Sequence, residues 1–225
     1  MTTQTEVPTV FVIDDDPALR DSLQWLLESV GLKVATFARP RDFLAAYATD
    51  RPGCLLLDVR MPGMSGLHVQ QTLREAGIAL PVIIITAHGD VAMAVAAMKS
   101  GATDFIEKPF NDQLLLDCVQ NALTQNQLQR QARARHQQVI DRFNSLTTRE
   151  RQVMALVVEG LPNKTIADTL DVSRKTVEVH RSKVMDKMQA ETLSDLIQMA
   201  MAVGLLKEYG GQESPPQQHR VPTDG

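Results

Sequence analysis

The 225-residue sequence has few cysteines, few aromatic residues and no long apolar run. Its two cysteines, Cys54 and Cys118, lie in separate apolar segments without a metal-type partner nearby, which predicts reduced core residues and excludes a disulfide scaffold. No apolar run approaches the roughly 20 residues of a membrane span, so we expect no membrane contact. The net charge of −4 excludes a uniformly basic nucleic-acid binder. Any contact with DNA must therefore come from a local basic patch.

The composition is that of a globular protein, with 44% hydrophobic and 22% charged residues. The length suits one large domain or two small ones. Residues 1–8 are polar and lack the hydrophobic core of a signal peptide. Together with the reduced cysteines, this predicts a cytoplasmic protein.

Apolar runs alternate with helical patterns five times in the first half of the chain. The predicted strands cover residues 9–13, 33–37, 54–58, 81–86 and 104–106, and the predicted helices cover 17–30, 42–48, 67–76, 90–100 and 112–123. This alternation predicts an α/β fold, a doubly wound five-stranded parallel sheet of flavodoxin-like order 2-1-3-4-5. The ligand site of such a sheet lies at its carboxyl edge, at the junction of the first and third strands.

The third predicted strand is wholly apolar and ends in a single carboxylate, Asp58. A charge inside such a buried strand would be too costly, so Asp58 is expected at the carboxyl end. Asp14 and Asp15 follow the first strand, which brings three carboxylates to the same edge. Because they would repel one another, a divalent cation with oxygen ligands is expected among them, and Mg²⁺ suits best.

Thr86 ends the fourth predicted strand and Lys108 follows the fifth, so a hydroxyl and an ammonium come to the same edge. A carboxylate nucleophile, a metal, a hydroxyl and a lysine together form a phosphoryl-transfer site. Each residue alone has an ordinary explanation as a turn, a strand end or a surface charge. Their coincidence at one edge favours function.

Residues 8 to about 123 resemble the receiver domain of two-component response regulators, in Asp14-Asp15, Asp58, Thr86-Ala87, Phe105 and Lys108-Pro109. The resemblance implies that Asp58 accepts a phosphoryl group from a sensor histidine kinase. It implies Mg²⁺ held by Asp14, Asp15, Asp58 and the main-chain carbonyl of Arg60. It also implies that Lys108 and Thr86 bind the phosphoryl oxygens, that Lys108-Pro109 is a cis peptide, and that Phe105 turns inward as Thr86 moves. Arg60 and His88, two residues after Asp58 and Thr86, are expected at the mouth of the site.

Residues 124–144 are rich in Gln, Arg and Ala and contain no Pro or Gly. This composition favours a helical linker, either continuous with the fifth helix or a solvated tether. Residues 208–225 include a Pro/Gln-rich stretch and are predicted to be a disordered tail.

Residues 145–207 have a wholly helical pattern. A capping box at Thr147 opens the first helix, Asn163 is expected to cap a short helix that ends at Leu170, and Ser173 to cap a longer one, residues 174–188. A short helix, a tight turn and a longer helix form a helix-turn-helix, so this half is predicted to be an all-α four-helix domain that binds DNA. The longer helix has five basic residues and two acidic ones, a net charge of +3 in an acidic protein.

The same residues resemble the LuxR-type DNA-binding domain, in Leu-Thr-x-Arg-Glu, Gly-Leu-x-Asn-Lys-x-Ile-Ala and Thr-Val-x-Val-His-Arg. With the receiver attached, the chain resembles the FixJ-like group of the NarL/FixJ family. The expected DNA contacts lie in a motif of about 161–185, namely Lys164, Thr165, Arg174, Lys175, Thr176, Val179, Arg181 and Lys183. Glu178 stands where such domains often carry a lysine.

The function predicted is that of a transcription regulator and not an enzyme. Phosphorylation is expected to form a homodimer that binds double-stranded promoter DNA and contacts RNA polymerase. One alternative is a protein that binds DNA regardless of phosphorylation. Another is an aspartyl-phosphate phosphohydrolase, but that chemistry needs a general acid two residues after the nucleophile, where Arg60 stands.

Overall fold

The computed structural model describes residues 7–47, 51–87 and 91–206 of the chain. The chain divides into two compact units between Ala132 and Arg133. His88 and the expected tail 208–225 lie outside the described residues, as do Ala48 and Asp90, which were the expected ends of two helices.

The first unit is built on a five-stranded parallel sheet of order β2-β1-β3-β4-β5, as the alternation of strands and helices predicted. Its strands are β1 (Thr9–Ile13), β2 (Lys33–Phe37), β3 (Gly53–Asp58), β4 (Val82–Thr86) and β5 (Asp104–Glu107). Side chains of β1 alternate between two cores. Val10 and Val12 point into one, and Phe11 and Ile13 into the other. Both faces of the sheet are therefore covered, which is why its central strands are apolar throughout.

Helices cover the two faces of the sheet. They are α1 (Pro17–Ser29), α2 (Pro40–Ala46), α3 (Gly66–Glu75), α4 (Val91–Lys99) and α5 (Asp112–Asn144). Asp16 caps α1 and Pro17 occupies its first turn. The prediction placed the start of α2 at Asp42, but the helix begins at Pro40 because proline fits the first helical position.

The fifth helix continues through the predicted linker to Asn144, because no Gly or Pro interrupts residues 112–144. Of the two alternatives for residues 124–144, the structure has the helix that is continuous with the fifth one. Asn126, past the expected end, is 4% exposed. Its Oδ1 accepts a hydrogen bond from the Gly53 N–H at 3.1 Å, and its Nδ2 donates to the Ala79 carbonyl at 3.3 Å. This amide therefore ties the continued helix to the amino-terminal edge of the sheet.

The second unit is helical and has a core of its own. Its further helices are α6 (Thr148–Val158), α7 (Asn163–Leu170), α8 (Arg174–Met188) and α9 (Leu193–Ala202). The expected capping box at Thr147 and cap at Ser173 are confirmed. The prediction that Asn163 caps α7 is wrong, because Pro162 holds that position and Asn163 is the first helical residue. In the part of the chain that the structure describes, no helix has the length and apolarity to cross a membrane.

Candidate functional site

Four of the predicted site residues lie at the carboxyl edge of the sheet. Asp14 directly follows β1, Asp58 is the last residue of β3, Thr86 ends β4 and Lys108 follows β5. Because the strands are parallel, these carboxyl ends meet at one edge. The strand order brings together residues that are up to 94 positions apart in sequence.

Lys108 joins the two buried carboxylates. Its Nζ donates to Asp14 Oδ2 at 2.8 Å and to Asp58 Oδ1 at 3.1 Å. Asp14 and Asp58 are only 3% and 7% exposed. Two carboxylates in this position would repel each other, and one ammonium between them relieves that repulsion. Asp15, by contrast, is exposed beside them.

Main-chain N–H groups hold the remaining carboxylate oxygens. The Arg60 N–H donates to Asp58 Oδ2 at 3.0 Å, and the Asp16 N–H donates to Asp14 Oδ1 at 2.9 Å. The Arg20 guanidinium donates to the main-chain carbonyl of Asp14 at 2.8 Å. The orientation of both carboxylates is therefore fixed by short-range contacts of the loops that follow β1 and β3.

Burial and charge act against each other at this site. Burial raises the pKa of the Asp58 carboxyl, and the hydrogen bond and charge of Lys108 oppose that rise without cancelling it. For Lys108, burial alone would lower the pKa, but the hydrogen bonds and charges of Asp14 and Asp58 outweigh it and raise the pKa. The lysine therefore remains a cation, which is the state that can neutralise an incoming phosphoryl group.

The loop after β3 packs closely on Asp58. A side chain at Gly66 would place its Cβ 2.4 Å from the Asp58 carbonyl oxygen and 3.0 Å from Val59 Cα, and both contacts are with backbone. Only glycine fits there. The sequence analysis did not single out Gly66, because a glycine that follows a strand is also typical of an ordinary turn.

The other predicted residues of this edge lie nearby. The Lys108 main-chain N–H donates to the Thr86 carbonyl at 2.8 Å, and the expected cis peptide at Lys108-Pro109 is present. Thr86 is fully buried, Ala87 is exposed, and Phe105 is partly buried against the core of one sheet face.

The donor groups at this edge fit a hard divalent cation. Asp14, Asp15 and Asp58 supply carboxylate oxygens, which are ligands that Mg²⁺ prefers. In the described residues, no group of three or more His, Cys, Asp or Glu side chains is arranged as a metal site. The two buried carboxylates are instead paired with Lys108. The chemistry of the donor set therefore suits Mg²⁺, with Lys108 as the present partner of both buried carboxylates.

The second unit contains the expected helix-turn-helix. Helix α7 ends at Leu170, the φ of 52° and ψ of 52° of its cap residue Asp171 make a left-handed turn, and Ser173 then caps α8. Val177, Val184 and Met188 are buried and form the inward stripe of α8. Val179 on the opposite face is 47% exposed.

The eight residues predicted to contact DNA fall into two groups. Six are exposed, and these are Lys164, Thr165, Arg174, Lys175, Val179 and Lys183. Thr176 and Arg181 are partly buried. The Thr176 hydroxyl lies 2.8 Å from the Ser173 hydroxyl, and Arg181 Nη1 donates to Asn163 Oδ1 at 3.1 Å. These last two side chains therefore have partners within the domain.

Comparison with known proteins matches each half of the chain to a protein family. Residues 10–120 match the response regulator receiver domain, and residues 144–200 match the bacterial regulatory proteins of the luxR family. The chain is 44% identical over 199 residues to the transcriptional regulatory protein FixJ of Bradyrhizobium diazoefficiens, a match that covers 88% of this chain and 97% of that protein. It is 42% identical over 190 residues to the response regulator protein TodT of Pseudomonas putida, with 84% of each chain covered.

A solved structure extends this likeness to the three-dimensional level. The response regulator StyR is 45% identical and has a TM-score of 0.81 over 87% of this chain and 98% of its own. The sheet order, the helix-turn-helix and these relatives all indicate the same protein family. The chain belongs to the FixJ-like response regulators, which are phosphorylated transcription regulators that join a receiver domain to a LuxR-type DNA-binding domain.

Proposed function

We propose that Asp58 is the residue that accepts the phosphoryl group, and that its phosphorylation produces a homodimer that binds promoter DNA. The observation that carries this proposal is the position of the Lys108 ammonium, which donates to Asp58 Oδ1 at 3.1 Å at the carboxyl edge of the sheet. The phosphoryl donor is a sensor histidine kinase, the partner that a receiver domain implies.

In this reaction a carboxylate oxygen of Asp58 attacks phosphorus and the bond to the donor's leaving atom breaks. The product is an acyl phosphate whose free oxygens carry the negative charge. Lys108 already contacts one Asp58 oxygen and can neutralise that charge, and the Arg60 N–H keeps the second carboxylate oxygen in place. The protein therefore contributes orientation and electrostatic stabilisation, which is what phosphoryl transfer needs most.

Mg²⁺ completes the proposed site. Asp14, Asp15, Asp58 and the main-chain carbonyl of Arg60 would hold it, and when bound it neutralises the oxygens of the phosphoryl group. Thr86 would bind a phosphoryl oxygen beside Ala87, and its movement would allow Phe105 to turn inward. Lys108-Pro109 would hold the lysine at the site.

Labelling with radioactive acetyl phosphate tests the assignment of Asp58. We expect Asp58→Asn to abolish Mg²⁺-dependent labelling while the circular dichroism spectrum stays that of the parent, because the amide keeps the shape of the carboxylate but is a poor nucleophile. Asp21→Asn is the matched control, since Asp21 is exposed on α1. It should be labelled as the parent is. Undiminished labelling of Asp58→Asn would refute the assignment.

For DNA we propose that α8 enters the major groove with its amino-terminal half, as the second helix of this motif does. Lys175 and Lys183 are exposed and basic, so they can pair with phosphates. Val179 is an apolar side chain on the same exposed face and is suited to contact a thymine methyl. Lys164, Thr165, Arg174 and Thr176 lie at the amino-terminal turns of α7 and α8 and are proposed to contact the DNA backbone.

A gel-shift titration separates this proposal from phosphorylation-independent DNA binding. DNA selected by the parent protein from a random duplex library would be titrated with and without acetyl phosphate. We expect phosphorylation to lower the dissociation constant and the Asp58→Asn variant to show no such change. Equal binding with and without acetyl phosphate would favour the alternative.

A further inference from the structure

The first helix of the helix-turn-helix is held at both ends by arginines from the helices that flank it. At its amino-terminal end, Arg181 of α8 donates from Nη1 to Asn163 Oδ1 at 3.1 Å. At its carboxyl end, Arg149 of α6 donates from Nη2 to the main-chain carbonyl of Leu170 at 2.7 Å. These two contacts join α7 to α8 and to α6.

Arg149 donates to one of the main-chain carbonyls that have no hydrogen-bond partner within the helix. The last carbonyls of an α-helix have no partner within the helix and carry its partial negative charge, so a guanidinium there is favourable. Its Nη1 also donates to Gln152 Oε1 at 3.0 Å, which holds the side chain along α6. The carboxyl end of α7, where the turn begins, is thereby fixed.

The side chain of Arg181 lies in a different environment from the exposed lysine side chains of α8. Arg181 is four residues after Val177 and three before Val184, both of which are buried, so helical spacing places it beside the inward stripe. Lys183 lies on the exposed face instead. Asn163 is not occupied as a cap, because Pro162 holds the cap position and no side chain caps α7. The amide of Asn163 is thus available to Arg181.

We propose that Arg181 acts on DNA binding as a positioning residue, through Asn163, and not as a phosphate contact. Together with Arg149 it sets where α7 lies against α8, and so how the whole motif meets the groove. The proposal rests on the proposed placement of α8 on DNA. It separates Arg181 from Lys175 and Lys183, with which charge alone would group it.

The salt dependence of binding distinguishes the two roles. A residue that pairs with one phosphate contributes about 0.9 to the slope of the logarithm of the binding constant against the logarithm of salt concentration. A residue that acts through Asn163 leaves that slope unchanged. If Arg181 acts through Asn163, the effects of changing the two residues on the binding free energy should also be non-additive, since both changes remove the same contact.

The experiment uses the full chain, treated with acetyl phosphate, and a duplex that the parent selects from a random library, with a scrambled duplex for comparison. The variants are Arg181→Met, which keeps most of the apolar stem, Asn163→Ala, which alanine's helix propensity favours, and the double variant. Lys183→Ala is the matched control for an exposed basic residue of α8. Circular dichroism verifies that each variant is folded at the assay temperature.

We expect Arg181→Met, Asn163→Ala and the double variant each to weaken binding to the selected duplex by about fivefold, which is the effect of about 1 kcal/mol. The salt slope and binding to the scrambled duplex should stay at the parent's values. Lys183→Ala should lower the slope by about one. A fall in slope of about 0.9 in Arg181→Met with unchanged affinity in Asn163→Ala would overturn the proposal and make Arg181 a phosphate contact.

Hydrogen exchange of the free protein provides a second test that needs no DNA. Amides of α7 should exchange faster in Arg181→Met, Asn163→Ala and Arg149→Met than in the parent, and at the parent's rate in Lys183→Ala. Unchanged exchange of α7 in the first three variants would overturn the positioning role. If the parent itself selected no duplex while these exchange results held, the proposed placement of α8 on DNA would be wrong and the contact between Arg181 and Asn163 would stand as structural.

Discussion

The carboxylate of Glu150 provides a quantitative test of how the DNA-binding unit is held together. Glu150 is 3% exposed, and its Oε2 accepts from Lys187 Nζ at 2.7 Å and from the Thr147 N–H at 2.8 Å. It therefore closes the amino-terminal cap of α6 and ties that helix to the end of α8. The hydrogen bond from Lys187, followed by that from Thr147, lowers the pKa of Glu150 from its ordinary 4.5 to about 2.

The magnitude follows from the linkage between proton binding and folding. One pKa unit corresponds to about 1.4 kcal/mol, so this shift sets an upper bound of about 3.5 kcal/mol on the stability that the ionised carboxylate contributes. The Lys187 side chain is 37% exposed, so solvent screens part of the attraction, and we expect about 2 kcal/mol. Because the folded pKa is lowered, this contribution is complete above pH 4.5 and is lost as the pH falls towards 2.

The perturbation is Glu150→Gln, which keeps an oxygen for the cap and removes the charge. The assay is urea unfolding of residues 133–206, a compact unit with its own core, followed by circular dichroism at pH 7, 4 and 3. The variant should be less stable than the parent by about 2 kcal/mol at pH 7, and the difference should shrink at pH 4 and again at pH 3. Glu159→Gln, at an exposed position, is the control and should match the parent. A difference below about 0.5 kcal/mol at pH 7, or one that does not change with pH, would refute the reasoning.

Three further predictions concern the receiver. Asp15→Ala should raise the Mg²⁺ concentration needed for half-maximal labelling by acetyl phosphate by about tenfold and leave urea unfolding unchanged, because Asp15 is exposed; an unchanged Mg²⁺ requirement would exclude Asp15 as a ligand. Gly66→Ala should lower the free energy of unfolding by about 2 kcal/mol, because its Cβ would meet the Asp58 backbone at 2.4 Å; a unit as stable as the parent in urea would show that the loop can move aside. Asn126→Ala should cost about 2 kcal/mol and speed hydrogen exchange at Gly53, because that buried N–H loses its acceptor. Asn121→Ala, exposed on the same helix, should change neither, and equal behaviour of the two variants would contradict this account.

The three central strands, β1, β3 and β4, could be predicted almost to the residue because each is a nearly continuous apolar run that is buried along its whole length. The order of the parallel strands then brings their carboxyl ends to one edge, where Asp14, Asp58 and Lys108 meet. The site was therefore predictable from the sequence as a set of residues. What the pattern could not provide is which partner each one has, because Lys108 could equally have pointed into solvent.

The side-chain contacts between different secondary-structure elements could not be predicted from the sequence. Arg181 looked like any other basic residue of its helix, since charge alone does not show that a neighbour offers an amide oxygen. Asn126 falls within residues 124–144, which were predicted to be a helical linker and for which no buried side chain was expected. A signal was present, however: Asn126 follows the buried Val119 by seven residues and the buried Ala122 by four, so it lies on the apolar stripe of α5.

The buried amide of Asn126 also determines where the receiver can be cut. The match to receiver domains ends at residue 120, and a fragment that stopped at residue 123 would lack this side chain. Such a fragment would leave the Gly53 N–H and the Ala79 carbonyl without the side chain that they contact at the edge of the sheet. Chimeric regulators that join this receiver to another output domain should therefore place their junction after residue 132. The incoming sequence then replaces only residues outside the compact receiver unit.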